Sequence, residues 1–124
     1  MSKKQMRVAF WILTGPLALL TAMSGAMMLT HNPQAVEGFH HLGYPEYFLT
    51  YLGLAKILGV TVIIFRRFPV LTEWAYAGLT FTYIAASYSH FSSGDPMSMV
   101  VPPVVFLAIL FGSRHLGKIA FMGR

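Results

Sequence analysis

Apolar residues fall in four long runs, and the segments between them are short and polar. The runs lie at about residues 8–30, 46–65, 73–90 and 97–112. At about 1.5 Å per residue the first is long enough to cross a hydrocarbon core about 30 Å thick. The other three have the same character and read as further spans. The third run, EWAYAGLTFTYIAASYSH, also carries a polar ladder. Glu73, Tyr76, Thr80, Tyr83, Ser87 and His90 recur at alternating steps of three and four, which sets all six on one helix face. Such a helix turns its polar face into a protein interior and its Trp, Ala, Leu, Phe and Ile toward lipid. Thr80 and Ser87 fit interhelical hydrogen bonding, while Glu73 and His90 sit at the headgroup ends. The pattern predicts an all-α, integral membrane four-helix bundle.

The breaks in the pattern refine this picture. Pro16 cannot donate to the carbonyl of Ile12, which predicts a kink in the first span. A basic start, an apolar stretch and Ser24-Gly25-Ala26 also read as a secretory signal with a small-residue cleavage site. Met27, Met28 and Leu29 continue the apolar run and favour a retained span. Residues 31–45, HNPQAVEGFHHLGYP, predict a loop with a short surface helix around Ala35 to His41. Arg66, Arg67 and Pro69 make one turn, and Phe91 to Pro96 another. Pro102 and Pro103 stand near the start of the fourth span, where missing donors cost least. Gly25, Gly53 and Gly59 suit close helix contact. Trp11, Tyr44, Tyr47 and Trp74 near span ends suit an interfacial belt. With no internal repeat or linker, residues 1–124 read as one membrane domain.

Composition agrees with lipid as the solvent. Hydrophobic residues make up 56% of the chain and charged residues 10%, against about 25% charged in a soluble domain. The net charge of +5 does not point to nucleic acid, because the basic residues flank apolar runs and form no continuous patch. With four spans, Lys3, Lys4, Arg7, Arg66, Arg67, Arg114, Lys118 and Arg124 all fall on one side. The positive-inside rule then places both termini in the cytoplasm. Glu37, Glu46, Asp95, His31, His40, His41 and His90 fall at or near the outer face, and His115 at the inner one. The chain contains no cysteine, which excludes thiolate and iron–sulfur chemistry from its own Cys ligands.

Lys56 is the one charge deep in a span. It follows Glu46 by ten residues, about 15 Å down and near the midplane. A lysine there costs at least about 2.5 kcal/mol unless it is paired or wetted. Side chains lean toward the N-terminus of their helix, so the ammonium is expected at the level of Tyr83 and Ser87. Lys56, Tyr83, Ser87 and His90 are the candidate ligand-binding residues, with Thr21 and Ser24 closing the wall. Lys56 and Tyr83 can donate to a carbonyl oxygen, and His90 can exchange protons with the outer face. The alternative is a lysine that snorkels along a polar seam and pins two helices together. The outer histidines also invite a metal or haem reading, His90 with His31, His40 or His41. No helical His-xxx-His spacing supports it. No nucleotide-binding glycine fingerprint or hydrolase elbow is present.

Several short pieces in order carry a resemblance. They are Leu42-Gly43-Tyr44-Pro45, Leu52-Gly53 with Lys56 and Leu58-Gly59, Pro69, Glu73-Trp74-Ala75-Tyr76-Ala77-Gly78, and Ser89-His90 with Gly94-Asp95-Pro96. From Leu42 to Pro96 the chain resembles the DoxX-like family of small four-span bacterial membrane proteins. That resemblance implies the bacterial inner membrane and a redox-associated role, since relatives are linked to a thiosulfate–quinone oxidoreductase and to complexes of oxidative-stress and sulfur enzymes. It supplies no catalytic set to carry over. The expectation is a small subunit that binds a quinone-like or other lipophilic molecule, with the bilayer, redox enzymes and a second copy as partners. The competing expectation is a non-catalytic assembly protein whose polar seam serves only packing. A transporter ranks third, because the chain is short and has no repeat.

Overall fold

The computed structural model describes residues 1–121. Arg124, counted above among the one-sided basic residues, lies outside them. Five helices follow one another: α1 (Lys3–Leu29), α2 (Pro33–Leu42), α3 (Tyr47–Phe65), α4 (Pro69–Ser92) and α5 (Met97–Ala120). The described residues include no strand.

Local chemistry sets the helix ends. Ser2 caps α1 through a reciprocal box, its hydroxyl accepting from the Gln5 amide while its own amide donates to Gln5 Oε1. This satisfies two of the donors a helix start leaves orphaned, and it carries α1 beyond the apolar run. Asn32 caps α2, Pro33 opens it, and Gly43 ends it at φ 87°. This is the short surface helix expected around residues 35–41. α3 ends on Arg66 at φ 48°, and α4 opens with Pro69. Nothing in that turn is glycine, so an arginine takes the left-handed conformation a glycine usually fills. α5 starts at Met97 and runs past Arg114, His115 and Lys118. Pro102 and Pro103 therefore lie in its second turn, deeper than the first-turn positions where a missing donor costs least.

Helices α1, α3 and α5 are each long and apolar enough to cross a membrane. α4 is as long, but its polar ladder keeps its hydropathy below theirs. α1 packs on α3 and α5, and α4 packs on α5 and, more lightly, on α3. Between them lie Leu17, Ala18, Val60, Ile63, Tyr76, Leu79, Tyr83 and Leu110. α2 lies across one end, with Phe39 against Met28 and Leu49. The outer surface is rich in large apolar side chains, among them Ile12, Leu19, Leu58, Phe65, Phe81 and Phe111. Exposed apolar surface this extensive marks contact with lipid or protein.

The α1–α3 contact is made by glycine, as expected for Gly25 and Gly53. A Cβ on Gly53 would stand 2.7 Å from the Gly25 carbonyl oxygen, and one on Gly25 would stand 2.9 Å from that of Gly53. Only a bare backbone permits this approach.

The two ends of the molecule differ. At one, Lys3 Nζ donates to the Ile119 carbonyl, Arg7 Nε to that of Ala120 at 3.4 Å, and Arg66 meets Gly117. This basic end joins both ends of the chain to the α3–α4 turn. The other end gathers His31, His40, His41, His90, Glu46 and Asp95.

Candidate functional site

The polar ladder of α4 faces inward as its spacing predicts, with Tyr76 and Tyr83 buried and Thr80, Ser87 and His90 half-buried. Its rungs meet different partners. Tyr83 OH shares a hydrogen bond of 2.5 Å with Thr21 Oγ1 on α1. Tyr76 OH bonds Ser113 Oγ at 2.8 Å, and Ser113 bonds Thr14 Oγ1 at 2.6 Å. Thr80 turns its hydroxyl back to the Tyr76 carbonyl. Two polar layers thus tie α1 to α4, one directly and one through α5. No buried side-chain nitrogen or oxygen among the described residues lacks a hydrogen-bond partner.

Lys56 lies beside the Thr21–Tyr83 layer. Its Nζ donates to Ser24 Oγ at 3.0 Å, so its direct partner is on α1, although Tyr83 shares the same cavity. The cavity has a volume of about 170 Å³. Thr21, Ser24, Lys56 and Tyr83 supply its polar groups, and Leu20, Ala86, Pro102, Pro103 and Phe106 its apolar walls. Phe106 stands edge-on to Tyr83, with ring centroids 5.7 Å apart. Among the described residues no carboxylate pairs with Lys56. An ammonium, two hydroxyls and a phenol on an apolar wall suit a carbonyl-bearing or anionic group.

Of the four candidate ligand residues, the structure brings Lys56 and Tyr83 to this cavity and puts Ser87 and His90 elsewhere. Ser87 Oγ donates to the Val100 carbonyl at 2.8 Å, joining α4 to α5. His90 Nδ1 donates to Asp95 Oδ2 at 2.7 Å, and His41 Nε2 to Asp95 Oδ1 at 2.6 Å. The hydrogen bond from His90, then that from His41, holds the Asp95 carboxyl below its ordinary range. A short turn after α4 brings Asp95 back onto His90, and helical spacing alone does not reveal such a return. His31 bonds Glu46 and Thr50. Among the described residues no three His, Asp or Glu side chains converge to hold a metal ion.

A larger cavity, about 610 Å³, opens at the basic end between the α3–α4 turn and α5. Sequence reasoning missed it. Its one signal is the Arg66-Arg67 turn, which lacks the glycine a helix end usually employs.

The model of the DoxX-like family matches residues 12–113, most of the chain. The chain belongs to the DoxX-like family. Together with three helices apolar enough to cross a bilayer, this makes it a small helical membrane protein. The match takes in all of α2, α3 and α4 and the Lys56 cavity. No curated protein and no solved structure matches this DoxX-like chain.

Proposed function

We propose that this protein binds the polar head of a quinone-like lipophile in the Lys56 cavity, as a subunit associated with redox enzymes. In this reading α4 also spans the membrane, the four long helices form a bundle in the bacterial inner membrane, and both termini face the cytoplasm. The one-sided distribution of Lys and Arg supports that orientation. The observation that carries the functional reading is Lys56 itself. It is a cation at span depth whose one hydrogen bond among the described residues is to a serine hydroxyl, beside the buried Tyr83 phenol, on the wall of a cavity. Small-molecule sites join an apolar body to a few converging polar groups. The volume of about 170 Å³ lies below the roughly 300–1,000 Å³ of a site that encloses a drug-sized ligand. It suits one ring, with the tail left in lipid. Lys56 and Tyr83 are the donors for a ring carbonyl. Ser87 then ties α4 to α5 and His90 serves the outer end, not the ring.

A second reading, a non-catalytic assembly protein, is favoured by one observation. Lys56 and Tyr83 are already bonded to Ser24 and Thr21 within the chain. Mass spectrometry of the organic extract from purified protein separates the two. A stoichiometric quinone or related carbonyl lipid supports the ligand site, and an extract holding only bulk phospholipid supports packing alone.

A further inference from the structure

Among the described residues, the large cavity at the basic end is lined by Arg66, Arg67, Arg114 and Lys118, against one carboxylate, Glu73. Glu73 is already engaged. Arg114 grips it through two bonds, of 2.8 and 3.0 Å, and Lys118 stands 3.6 Å away. Arg66 is the unusual member. Its backbone holds a left-handed conformation at φ 48°, which is uncommon outside glycine. Its guanidinium carbon lies 5.2 Å from the centre of the Phe10 ring and 5.1 Å from that of Phe121. Gly117 leaves room for it, since a Cβ there would come within 2.8 Å of Nη1. Its hydrogen bond within the protein is long, 3.5 Å to Tyr76 OH. Among the described residues no carboxylate pairs with it.

An ordinary snorkelling arginine does not need these arrangements. A left-handed backbone, two ring contacts and a glycine notch fix the orientation of this guanidinium, yet leave most of its five donors without an acceptor among the described residues. An oriented planar fork matches phosphate or carboxylate oxygens in pairs. A single carboxylate would leave the cavity's remaining positive charge unbalanced, whereas a phosphate group meets several cations at once. We propose that this cavity binds a phosphate group, with Arg66 as the fork and Arg67, Arg114 and Lys118 as the surrounding charge. The volume of about 610 Å³ is that of a small-molecule site and admits a phosphorylated head larger than the phosphate alone. The phosphate comes either from an anionic lipid headgroup at the membrane surface or from a soluble phosphate ester. The proposal is independent of what occupies the Lys56 cavity.

The test uses full-length protein in a non-ionic detergent and isothermal titration with two probes, dihexanoyl phosphatidylglycerol and glycerol phosphate. Binding of the lipid probe alone assigns a headgroup site, and equal binding of both assigns a soluble ester. Either supports the proposal. Replacing Arg66 with Lys keeps the charge and loses the fork, and is expected to weaken binding about tenfold. Should Arg66→Lys fail to fold, judged by circular dichroism, Arg67→Gln serves instead. Arg67 lines the same cavity from an exposed position, and its loss is expected to weaken binding severalfold. Lys4→Gln removes a cation of the same end that does not line the cavity, and is expected to leave affinity unchanged. Failure of both probes to bind, or native affinity in a folded Arg66→Lys variant, overturns the proposal. So does an equal loss in Lys4→Gln and Arg67→Gln, which would indicate general attraction to a basic surface.

Discussion

Lys56 and Ser24 are joined at 3.0 Å beside the close contact of the α1 and α3 backbones at Gly25 and Gly53. Ser24 precedes Gly25, and Lys56 follows Gly53 by three residues. The glycine contact and the lysine bond are therefore one feature. The missing Cβ atoms let the helices approach, and the approach puts a serine within reach of the ammonium. This explains why Lys56 ends on α1, although its depth also matches Tyr83.

The glycine contact makes opposite expectations for two alanine substitutions. Gly53→Ala places a methyl 2.7 Å from a backbone oxygen, a clash that no side-chain rotation relieves. A loss of about 1–3 kcal/mol is expected, as for overpacked cores. Gly78 has nothing within 4 Å of its Cβ position, so Gly78→Ala should gain up to about 1 kcal/mol of helix propensity. Thermal unfolding in detergent measures both. Equal effects would remove the claim of close backbone contact.

The Tyr83–Thr21 bond is testable by a double-mutant cycle. Tyr83→Phe and Thr21→Val each leave the other hydroxyl buried without its partner, and the pair together removes both polar atoms. A coupling energy of about 0.6–2 kcal/mol is expected, the range for hydrogen bonds between membrane helices. Strict additivity in unfolding titrations would mean that the two hydroxyls do not bond.

Acid should loosen the histidine end. The His90 and His41 hydrogen bonds depress the Asp95 carboxyl. Their contribution is therefore complete above the ordinary Asp value of about 3.9. It is lost as pH falls below that value and through the lower native one. Native protein should lose thermal stability below about pH 4, and Asp95→Asn should lack that component of the slope. Parallel pH profiles for the two proteins would contradict the assignment.

The native chain has no cysteine, so single cysteines report sidedness without background. Ser93→Cys, in the α4–α5 turn, should react with an impermeant maleimide in intact spheroplasts. Arg67→Cys, in the α3–α4 turn, should react only after the membrane is opened. The reverse order would invert the proposed topology.

Much of this architecture is legible from periodicity alone. The alternation of three and four from Glu73 to His90 gives the buried face of α4, since a helix has one face at that spacing whatever surrounds it. Gly25 and Gly53 are legible for a similar reason, because small residues in apolar helices have few other uses. What spacing does not give is the partner across the gap. Ser24 and Tyr83 both match Lys56 in depth, and the choice depends on which backbone stands nearer. Asp95 reaches His90 and His41 through a turn whose path no periodicity describes. Arg66 looks in sequence like an ordinary cytoplasmic charge. Its left-handed backbone and its place against Phe10 and Phe121 arise only when α1, α3 and α5 meet at one end.

The most direct test of the ligand-binding account is titration of a short-chain quinone into purified native protein and into Lys56→Met, with unfolding followed in parallel. The substitution keeps the stem and removes a buried charge, so the variant should fold as stably as the native chain or more so. The account expects saturable binding to the native protein, and a loss of about tenfold or more in Lys56→Met from the missing charge-assisted donor. Equal affinity in a well-folded Lys56→Met variant would contradict Lys56 as a ligand contact and leave the polar seam as packing alone.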